Sequence, residues 1–205
     1  MDLFLDCTGG VDGQTVLAAL AHLGMNFDSL EAVLAGSGMP CRVLVEPASG
    51  GMGMGCRIKV TMHGTSFPQD SMADLTGFMA ALPLPEHTRS RVLAVMHSLQ
   101  SAATSALGVT GESVLCDSHG ACLCVLVPGI CLGLEQLGVR RLTTSALPWP
   151  TEMPVSADAM PAPTAARLMQ GKPVFRAKAA GAVVTPLGAA LLDALADEFA
   201  TGPEG

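Results

Sequence analysis

Aromatic side chains and charge are both scarce in this sequence. Aromatic residues make up 3% of the 205 residues, tyrosine is absent, and Trp149 is the single tryptophan, so a core must be built from aliphatic residues. Lysine and arginine number 11 against 18 acidic residues, which gives a formal net charge of −7. Nucleic acids and anionic membrane surfaces are bound largely through basic side chains. We therefore expect neither nucleic acid nor membrane among the partners.

No apolar run is long enough to cross a bilayer. The longest, ACLCVLVPGICLGL at 121–134, contains Pro128 and falls short of the ~20 residues that a membrane helix needs. The opening MDLFLDCTGG has an acidic second residue and lacks the basic segment of a secretory signal. The seven cysteines are odd in number and lack the paired spacing of a disulfide scaffold. These features predict a cytoplasmic protein with reduced thiols.

Hydrophobic periodicity predicts strands and helices in the first half of the chain. Short apolar or alternating runs indicate strands at 3–5, 41–47 and 56–64. The last two are expected to pair as a hairpin. Apolar residues at three- and four-residue spacing indicate helices at 16–23, 30–34, 70–81 and 85–107.

The second half begins with a predicted strand at 140–148. An extended proline-rich connection follows at 147–163, and a helix at 164–170. The final helix has Thr185 as its N-cap and Pro186 in its first turn. Its predicted apolar stripe, at four-residue spacing, consists of Leu187, Leu191, Leu195 and Phe199.

The order of these elements predicts the α/β class in its mixed α+β form, with a partly antiparallel sheet and packed helices. We expect one domain over 1–205. Two lobes, at 1–108 and 109–205, are the alternative.

The stretch DCTGGVDG at 6–13 joins a predicted strand to a predicted helix through glycines. Such a loop can offer backbone N–H groups to an anion, which makes Gly9, Gly10, Asp12 and Gly13 candidate cofactor-binding residues. The stretch is neither GxGxxG nor GxxxxGK[ST], and no lysine follows it. The pattern alone therefore favours a tight turn over a phosphate cradle. Asp6 and Asp12 are in addition candidate metal or acid–base carboxylates.

The densest group of ligating side chains is CDSHGACLC at 116–124. Thiolate and imidazole suit Zn²⁺ or Ni²⁺, which makes a candidate ligand set of Cys116, Asp117, His119, Cys122 and Cys124. The CxC spacing is not the CxxC of common metal sites, although on a strand both thiols would share a face. The apolar run that follows suits small buried cysteines equally well. From spacing alone, buried cysteines are the favoured interpretation and a metal site is the alternative.

Four blocks of the sequence, taken in order, resemble the N-terminal domain of the LarC family, the nickel-insertion proteins of nickel-pincer cofactor biosynthesis. The blocks are LFLDCTGGVDGQTVLAALAHLG (3–24), LTTSALP (142–148), MPAPTAARLMQGKPV (160–174) and AVVTPLGAALLDALADEFATGPEG (182–205). Their order and approximate spacing hold across nearly all of the chain. Each block is weakly specific, and four in order are fairly specific.

The resemblance implies an activity. Proteins of this family deliver Ni²⁺ to a pyridinium bisthiocarboxylic acid mononucleotide, using CTP, to make the complex that lactate racemase and its relatives use. An active chain would be a nickel-inserting lyase, or metal chelatase. The family's further C-terminal domain is expected to be absent here. A separate chain carrying that domain, or a lactate-racemase-like protein, is therefore an expected partner.

The sequence departs from the family pattern at ligand-type positions. The aspartate of the family's S-G-D-M falls on Gln14, and the histidine-rich insertion after the hairpin is reduced to His63. The family's H-F-H-E block falls on LCDSHGACL, which keeps no H-x-H-E in either register. In one interpretation, thiols replace imidazoles at the metal. In the other, the chain is a catalytically degenerate paralogue that serves as a non-catalytic scaffold or partner-binding module.

Overall fold

The computed structural model describes residues 1–50, 53–63, 71–108, 120–150, 162–177 and 183–200. The helices are α1 (Gly13–His22), α2 (Asp28–Gly36), α3 (Met72–Ala81), α4 (Glu86–Leu107), α5 (Gly120–Gln136), α6 (Pro163–Leu168) and α7 (Pro186–Leu195). The strands are β1 (Asp2–Leu5), β2 (Gly10–Val11), β3 (Cys41–Gly50), β4 (Gly53–Met62), β5 (Arg141–Thr144), β6 (Leu147–Pro150), β7 (Val174–Ala177), β8 (Val183–Val184) and β9 (Glu198–Phe199). The mixed α/β class is confirmed.

The described residues divide into two compact units. The first unit lies within 1–13, 95–111 and 139–205, and the second within 14–94 and 112–138. Each unit is therefore assembled from separate stretches of the chain.

Parallel pairing organises the first unit. A three-stranded sheet has the order β1-β5-β9, with Leu3 opposite Leu142 and Thr143 opposite Glu198. Two further parallel pairs join β2 to β8 and β6 to β7. Because β1 and β5 run in the same direction, the residues that follow them meet at one edge of the sheet. We call this the carboxyl edge.

The second unit contains the antiparallel hairpin and a buried helix. In the hairpin, Val43 of β3 lies opposite Val60 of β4. Helix α5 is buried from Cys124 to Leu134. Two of its glycines permit close packing, because a Cβ at Gly129 would lie 3.0 Å from Leu30 Cδ2 and one at Gly133 would lie 2.5 Å from Met25 Sδ.

The final helix of the chain needs correction at its end. The final helix begins as predicted, because the Thr185 side chain accepts a hydrogen bond from Gly188 N at 3.0 Å. It ends at Leu195, however, and Phe199 lies in β9, so the predicted helical stripe is wrong at its last position. The backbone becomes extended at Ala196, and the chain then pairs with β5.

The apolar run at 121–134 belongs to a helix, α5. Periodicity carries no signal there because nearly every residue is apolar. The strand predicted at 140–148 is two strands, β5 and β6, so part of the proline-rich connection is regular. Residues 151–161 of that connection lie outside the described residues. No helix in the described ranges is long and apolar enough to cross a membrane.

Candidate functional site at the carboxyl edge of the first unit

A carboxylate with two donors stands directly after β1. The Oδ1 atom of Asp6 accepts a hydrogen bond from the Thr8 hydroxyl at 2.7 Å and one from the Thr8 backbone N–H at 3.0 Å. The hydroxyl bond, followed by the backbone bond, lowers the pKa of Asp6. Asp6 is exposed. The edge of the sheet thus presents a negative oxygen ligand to solvent at neutral pH.

The next residue, Cys7, fastens this turn to the end of β5. Its backbone N–H donates to Ser145 Oγ at 2.8 Å, and its Sγ lies 3.2 Å from Thr144 Oγ1. Ser145 N in turn donates to Leu5 O at 3.0 Å. Burial raises the pKa of the Cys7 thiol. Cys7 is therefore a neutral hydrogen-bonding thiol at neutral pH.

Gly10 is required by a close backbone crossing. It has φ +96°, and its N–H donates to Cys7 O at 2.9 Å. A Cβ at Gly10 would lie 2.4 Å from the carbonyl oxygen of Val183, its partner in β8. The glycine is thus explained by packing, which agrees with the tight-turn interpretation at this position.

The other candidate residues of the turn differ from Gly10. Gly9 is exposed, and a Cβ there would have no neighbour within 4 Å. Gly13 is buried at the start of α1, and Asp12 is half-buried. Of the glycines in this turn, Gly9 is therefore the one that a ligand can reach.

A second glycine crossing joins the turn to α7. A Cβ at Gly188 would lie 2.3 Å from the carbonyl oxygen of Val11. Thr185 N donates to that same oxygen at 3.0 Å. The first turn of α7 is therefore held directly against the end of β2.

A salt bridge in the first unit links Asp193 of α7 to Lys172, between α6 and β7. Asp193 accepts hydrogen bonds from Lys172 Nζ at 2.6 Å and from Ser98 Oγ at 2.7 Å. Burial acts to raise the pKa of Asp193, but these bonds and the lysine charge outweigh it and lower the pKa. Lys172 Nζ also lies 4.9 Å from the centre of the Phe199 ring. The correct role of Phe199 is thus to contact Lys172 from β9.

The four blocks that resemble the LarC family meet in the first unit. The opening turn contacts the TTS segment through Cys7 and contacts the VVTPLG segment through Gly10 and Gly188. The LTTSALP block reaches the GKPV segment through Leu147 N, which donates to Pro173 O at 2.9 Å. The sequence blocks are thus neighbours in space as well as members of one pattern.

The cysteine cluster gives less information. Cys116, Asp117 and His119 lie outside the described residues. Cys122 is half-buried and Cys124 fully buried, and both lie on α5. Residues two apart on a helix point about 200° apart, so these thiols do not share a face as they would on a strand. Among the described residues, no group of three or more His, Cys, Asp or Glu side chains could hold a metal ion. The proposed ligand set stays a prediction.

Sequence patterns did not single out Cys7, Thr144, Ser145 or Gly188. A signal was available for the first three, since Cys7 comes soon after the strand predicted at 3–5 and the TTS segment lies within the strand predicted at 140–148. Ligand sites of open α/β sheets lie beyond the carboxyl ends of their strands. Gly188 offered no such signal, because the backbone that it accommodates is distant in sequence.

Comparison with known proteins agrees with this convergence of blocks. A family model described as nickel insertion protein matches residues 3–205. A protein of Citrifermentans bemidjiense with the provisional name nickel insertion protein is 30% identical over 205 residues, 98% of this chain and 53% of that protein. One from Geobacter sp. strain M21, with the same provisional name, is 29% identical over the same shares of both chains. The pyridinium-3,5-bisthiocarboxylic acid mononucleotide nickel insertion protein of Desulfitobacterium hafniense is 26% identical over 207 residues, 98% of this chain and 51% of that protein.

The chain belongs to the nickel insertion protein family. It spans about half the length of these relatives. No solved structure shows a significant match to it.

Proposed function

We propose that this chain acts in nickel insertion, delivering Ni²⁺ to a pyridinium bisthiocarboxylic acid mononucleotide. The observation that carries the proposal is that the turn after β1 contacts the 142–148 and 182–205 blocks directly, and that the 142–148 block in turn contacts the 160–174 block. The name of the relative from Desulfitobacterium hafniense supports the same substrate. In this proposal the chain is a nickel-inserting lyase, and nickel is its cargo.

The exposed turn supplies the proposed substrate contacts. Gly9, Gly10, Asp12 and Gly13 are the proposed phosphate-binding residues of this turn, and Gly9 is the exposed one. Asp6 offers an ionised carboxylate beside them, and its two bonds from Thr8 lower the pKa of that carboxylate further. An oxygen ligand binds Ni²⁺ less tightly than sulfur does, so it suits transfer of the ion to the thiocarboxylate sulfurs.

The thiol-rich cluster is the proposed second holding site for nickel. Its members are Cys116, Asp117, His119, Cys122 and Cys124. Thiols must lose protons to bind the ion, so loading there depends on pH. Of the described members, half-buried Cys122 suits this role better than fully buried Cys124.

CTP and a second polypeptide belong to the finer part of the proposal. CTP is the proposed nucleotide consumed in insertion, and a chain carrying the family's C-terminal domain is a proposed contributor to that step. A lactate-racemase-like protein is the proposed recipient of the finished complex.

Reconstitution of nickel insertion tests the proposal. The purified chain is mixed with Ni²⁺, the bisthiocarboxylic mononucleotide and CTP, with and without the C-terminal half of a relative. Mass spectrometry should show a nickel-containing mononucleotide that is absent without the chain and reduced by Asp6→Asn. Lys172→Gln serves as a control away from the turn. If no nickel enters the mononucleotide in either mixture, the nickel-insertion proposal is wrong.

A further inference from the structure

The two outer edges of the β3–β4 hairpin are different. On β3, the outward backbone N–H of Val43 donates to Glu31 Oε1 at 2.8 Å, and Glu31 Oε2 pairs with Arg42 at 3.0 Å. Pro47, two positions after Val45, has no N–H to offer. The β3 edge is therefore closed to a further strand over much of its length.

The register shows which backbone groups of β4 point outward. His63 N donates to Pro40 O at 2.8 Å, and Val43 N turns away from β4 to reach Glu31. Opposed residues of an antiparallel pair alternate between bonded and outward-facing pairs. The outward positions of β4 are therefore those opposite Cys41, Val43, Val45, Pro47 and Ser49, namely Met62, Val60, Ile58, Cys56 and Met54.

Nothing in the described part of the chain occupies this edge. Among the described residues β4 pairs only with β3, on its inner edge, and it contains no proline between Gly53 and Met62. One face of β4 is already used, since Ile58 is buried and Cys56 Sγ donates to Ala18 O at 3.0 Å. The described residues thus pack against one face of β4 and leave its outer edge unpaired.

Charged side chains on the other face of β4 determine which kind of strand can pair with its outer edge. Arg57 and Lys59 are both exposed and lie on the same face of β4, two residues apart. In antiparallel pairing with a second copy centred on Ile58, Arg57 would lie opposite Lys59 of that copy. Like charges directly opposite each other destabilise a sheet, and unlike charges stabilise it. The edge therefore disfavours this self-pairing and favours an acidic strand.

We propose that the outer edge of β4 binds an extended acidic segment of a partner protein as a third strand. Its backbone pairs with the outward groups of Met54, Cys56, Ile58 and Val60. Its acidic residues, at alternate positions, lie opposite Arg57 and Lys59, and the residues between them are apolar to match exposed Met54. This recruitment surface goes beyond nickel insertion, because it uses no residue of the proposed substrate or metal sites.

A labelled peptide tests the proposal on the whole chain. The probe is a fluorescein-labelled peptide that alternates valine and glutamate, and its control alternates valine and lysine. Fluorescence anisotropy should show the acidic peptide binding at least about tenfold more tightly, since two unlike pairs replace two like pairs. Hydrogen exchange of Met54, Cys56, Ile58 and Val60 should slow when it binds.

Matched variants separate strand pairing from simple charge attraction. Met54→Pro removes one outward N–H and should weaken binding of the acidic peptide, whereas Met54→Ala keeps it and should not. The double variant Arg57→Glu, Lys59→Glu should reverse the preference between the two peptides, whereas Arg140→Glu in the first unit should leave it unchanged.

Several results overturn the proposal. They are equal binding of the two peptides, no binding at millimolar peptide, and binding that Met54→Pro leaves unaltered. If a single-stranded oligonucleotide bound as tightly as the acidic peptide, the surface would be a general anion-binding surface and not a site for strand pairing. None of these measurements involves nickel, so their failure leaves the nickel-insertion proposal standing.

Discussion

The first turn of α7 passes so close to Val11 that a Cβ on Gly188 would lie 2.3 Å from the Val11 carbonyl oxygen. The neighbouring atom belongs to the backbone, so it cannot rotate away as a side chain would. A Cβ at Gly10 meets the carbonyl oxygen of Val183 in the same way, at 2.4 Å. Two glycines from opposite ends of the chain thus fix the turn that presents Asp6 and Gly9.

Gly188→Ala should destabilise the protein by about 1–3 kcal/mol, as overpacking of a close contact does. Gly77→Ala is the matched control, because Gly77 lies inside α3 and a Cβ there would meet nothing within 4 Å. That control should gain about 0.5–1 kcal/mol from helix propensity. Urea unfolding measures both values, and equal stability of the two variants would contradict the close crossing.

Gly9→Ala and Gly10→Ala separate ligand binding from folding in the turn. Gly10→Ala should lower stability, because it adds a backbone clash at a positive φ. Gly9→Ala should leave stability nearly unchanged but weaken mononucleotide binding, if the turn contacts the phosphate. Calorimetric titration with the mononucleotide, beside thermal unfolding of each variant, makes the comparison. If Gly9→Ala bound the mononucleotide with unchanged affinity, the turn would have a purely structural role.

Leu191→Ala should destabilise the protein by about 2–4 kcal/mol, because Leu191 is 2% exposed in the core beneath α7. Leu23 is 48% exposed, so Leu23→Ala should change stability by about 0.5 kcal/mol or less. Chemical denaturation of both variants gives the values. A loss as small for Leu191→Ala as for Leu23→Ala would mean that α7 does not bury this side chain.

The lowered pKa of Asp6 predicts a particular dependence on pH. A carboxylate whose folded pKa lies below its unfolded value stabilises the fold above the ordinary value of about 4 and loses this contribution as the pH falls. The stability gap between wild type and Asp6→Asn should therefore shrink as the pH is lowered through the folded pKa of Asp6. Thr8→Ala removes the main donor and should raise that pKa, which NMR titration of the carboxyl carbon can follow. An unchanged pKa in Thr8→Ala would rule out the hydroxyl bond as its cause.

Nickel added to the reduced protein should produce a thiolate-to-metal charge-transfer absorption that weakens below neutral pH, because thiols must be deprotonated to bind. Replacing Cys116 and Cys122 by serine should remove it. Cys131→Ser should keep the absorption, because burial, only partly opposed by Arg91, raises the pKa of that thiol to about 12. Cys124→Ser should lower stability, because an unpaired buried hydroxyl costs about 1–3 kcal/mol. An absorption equal in wild type and in the Cys116, Cys122 double variant would exclude this metal site.

Local signals predicted the fold best where one short segment decides its own structure. The start of α7 was correct because Thr185 and Pro186 act within one turn. Its end was not, because Phe199 leaves the helical pattern to pair with β5, which is far away in sequence. Helix α5 was missed since an almost wholly apolar run has no periodicity to detect.

The candidate site was also predictable only where neighbouring residues decide the structure. Glycines at 9, 10 and 13 identify the turn from sequence, but the reason for Gly10 is the backbone of Val183. Cys7 and Ser145 form their hydrogen bond across 138 positions, a separation at which single-sequence patterns carry no signal. The thiol cluster was easy to notice because its members are adjacent, and adjacency alone does not reveal which of them face one another.

The parallel sheet of the first unit also sets the order of assembly on the ribosome. Strand β1 is synthesised well before its neighbour β5, which begins at Arg141, and before β9, which comprises Glu198 and Phe199. Contacts of such long range carry a high loop-closure cost, which slows folding. The nascent turn at Asp6 and Gly9 therefore stays without its supporting strands until β5 and β9 have been translated.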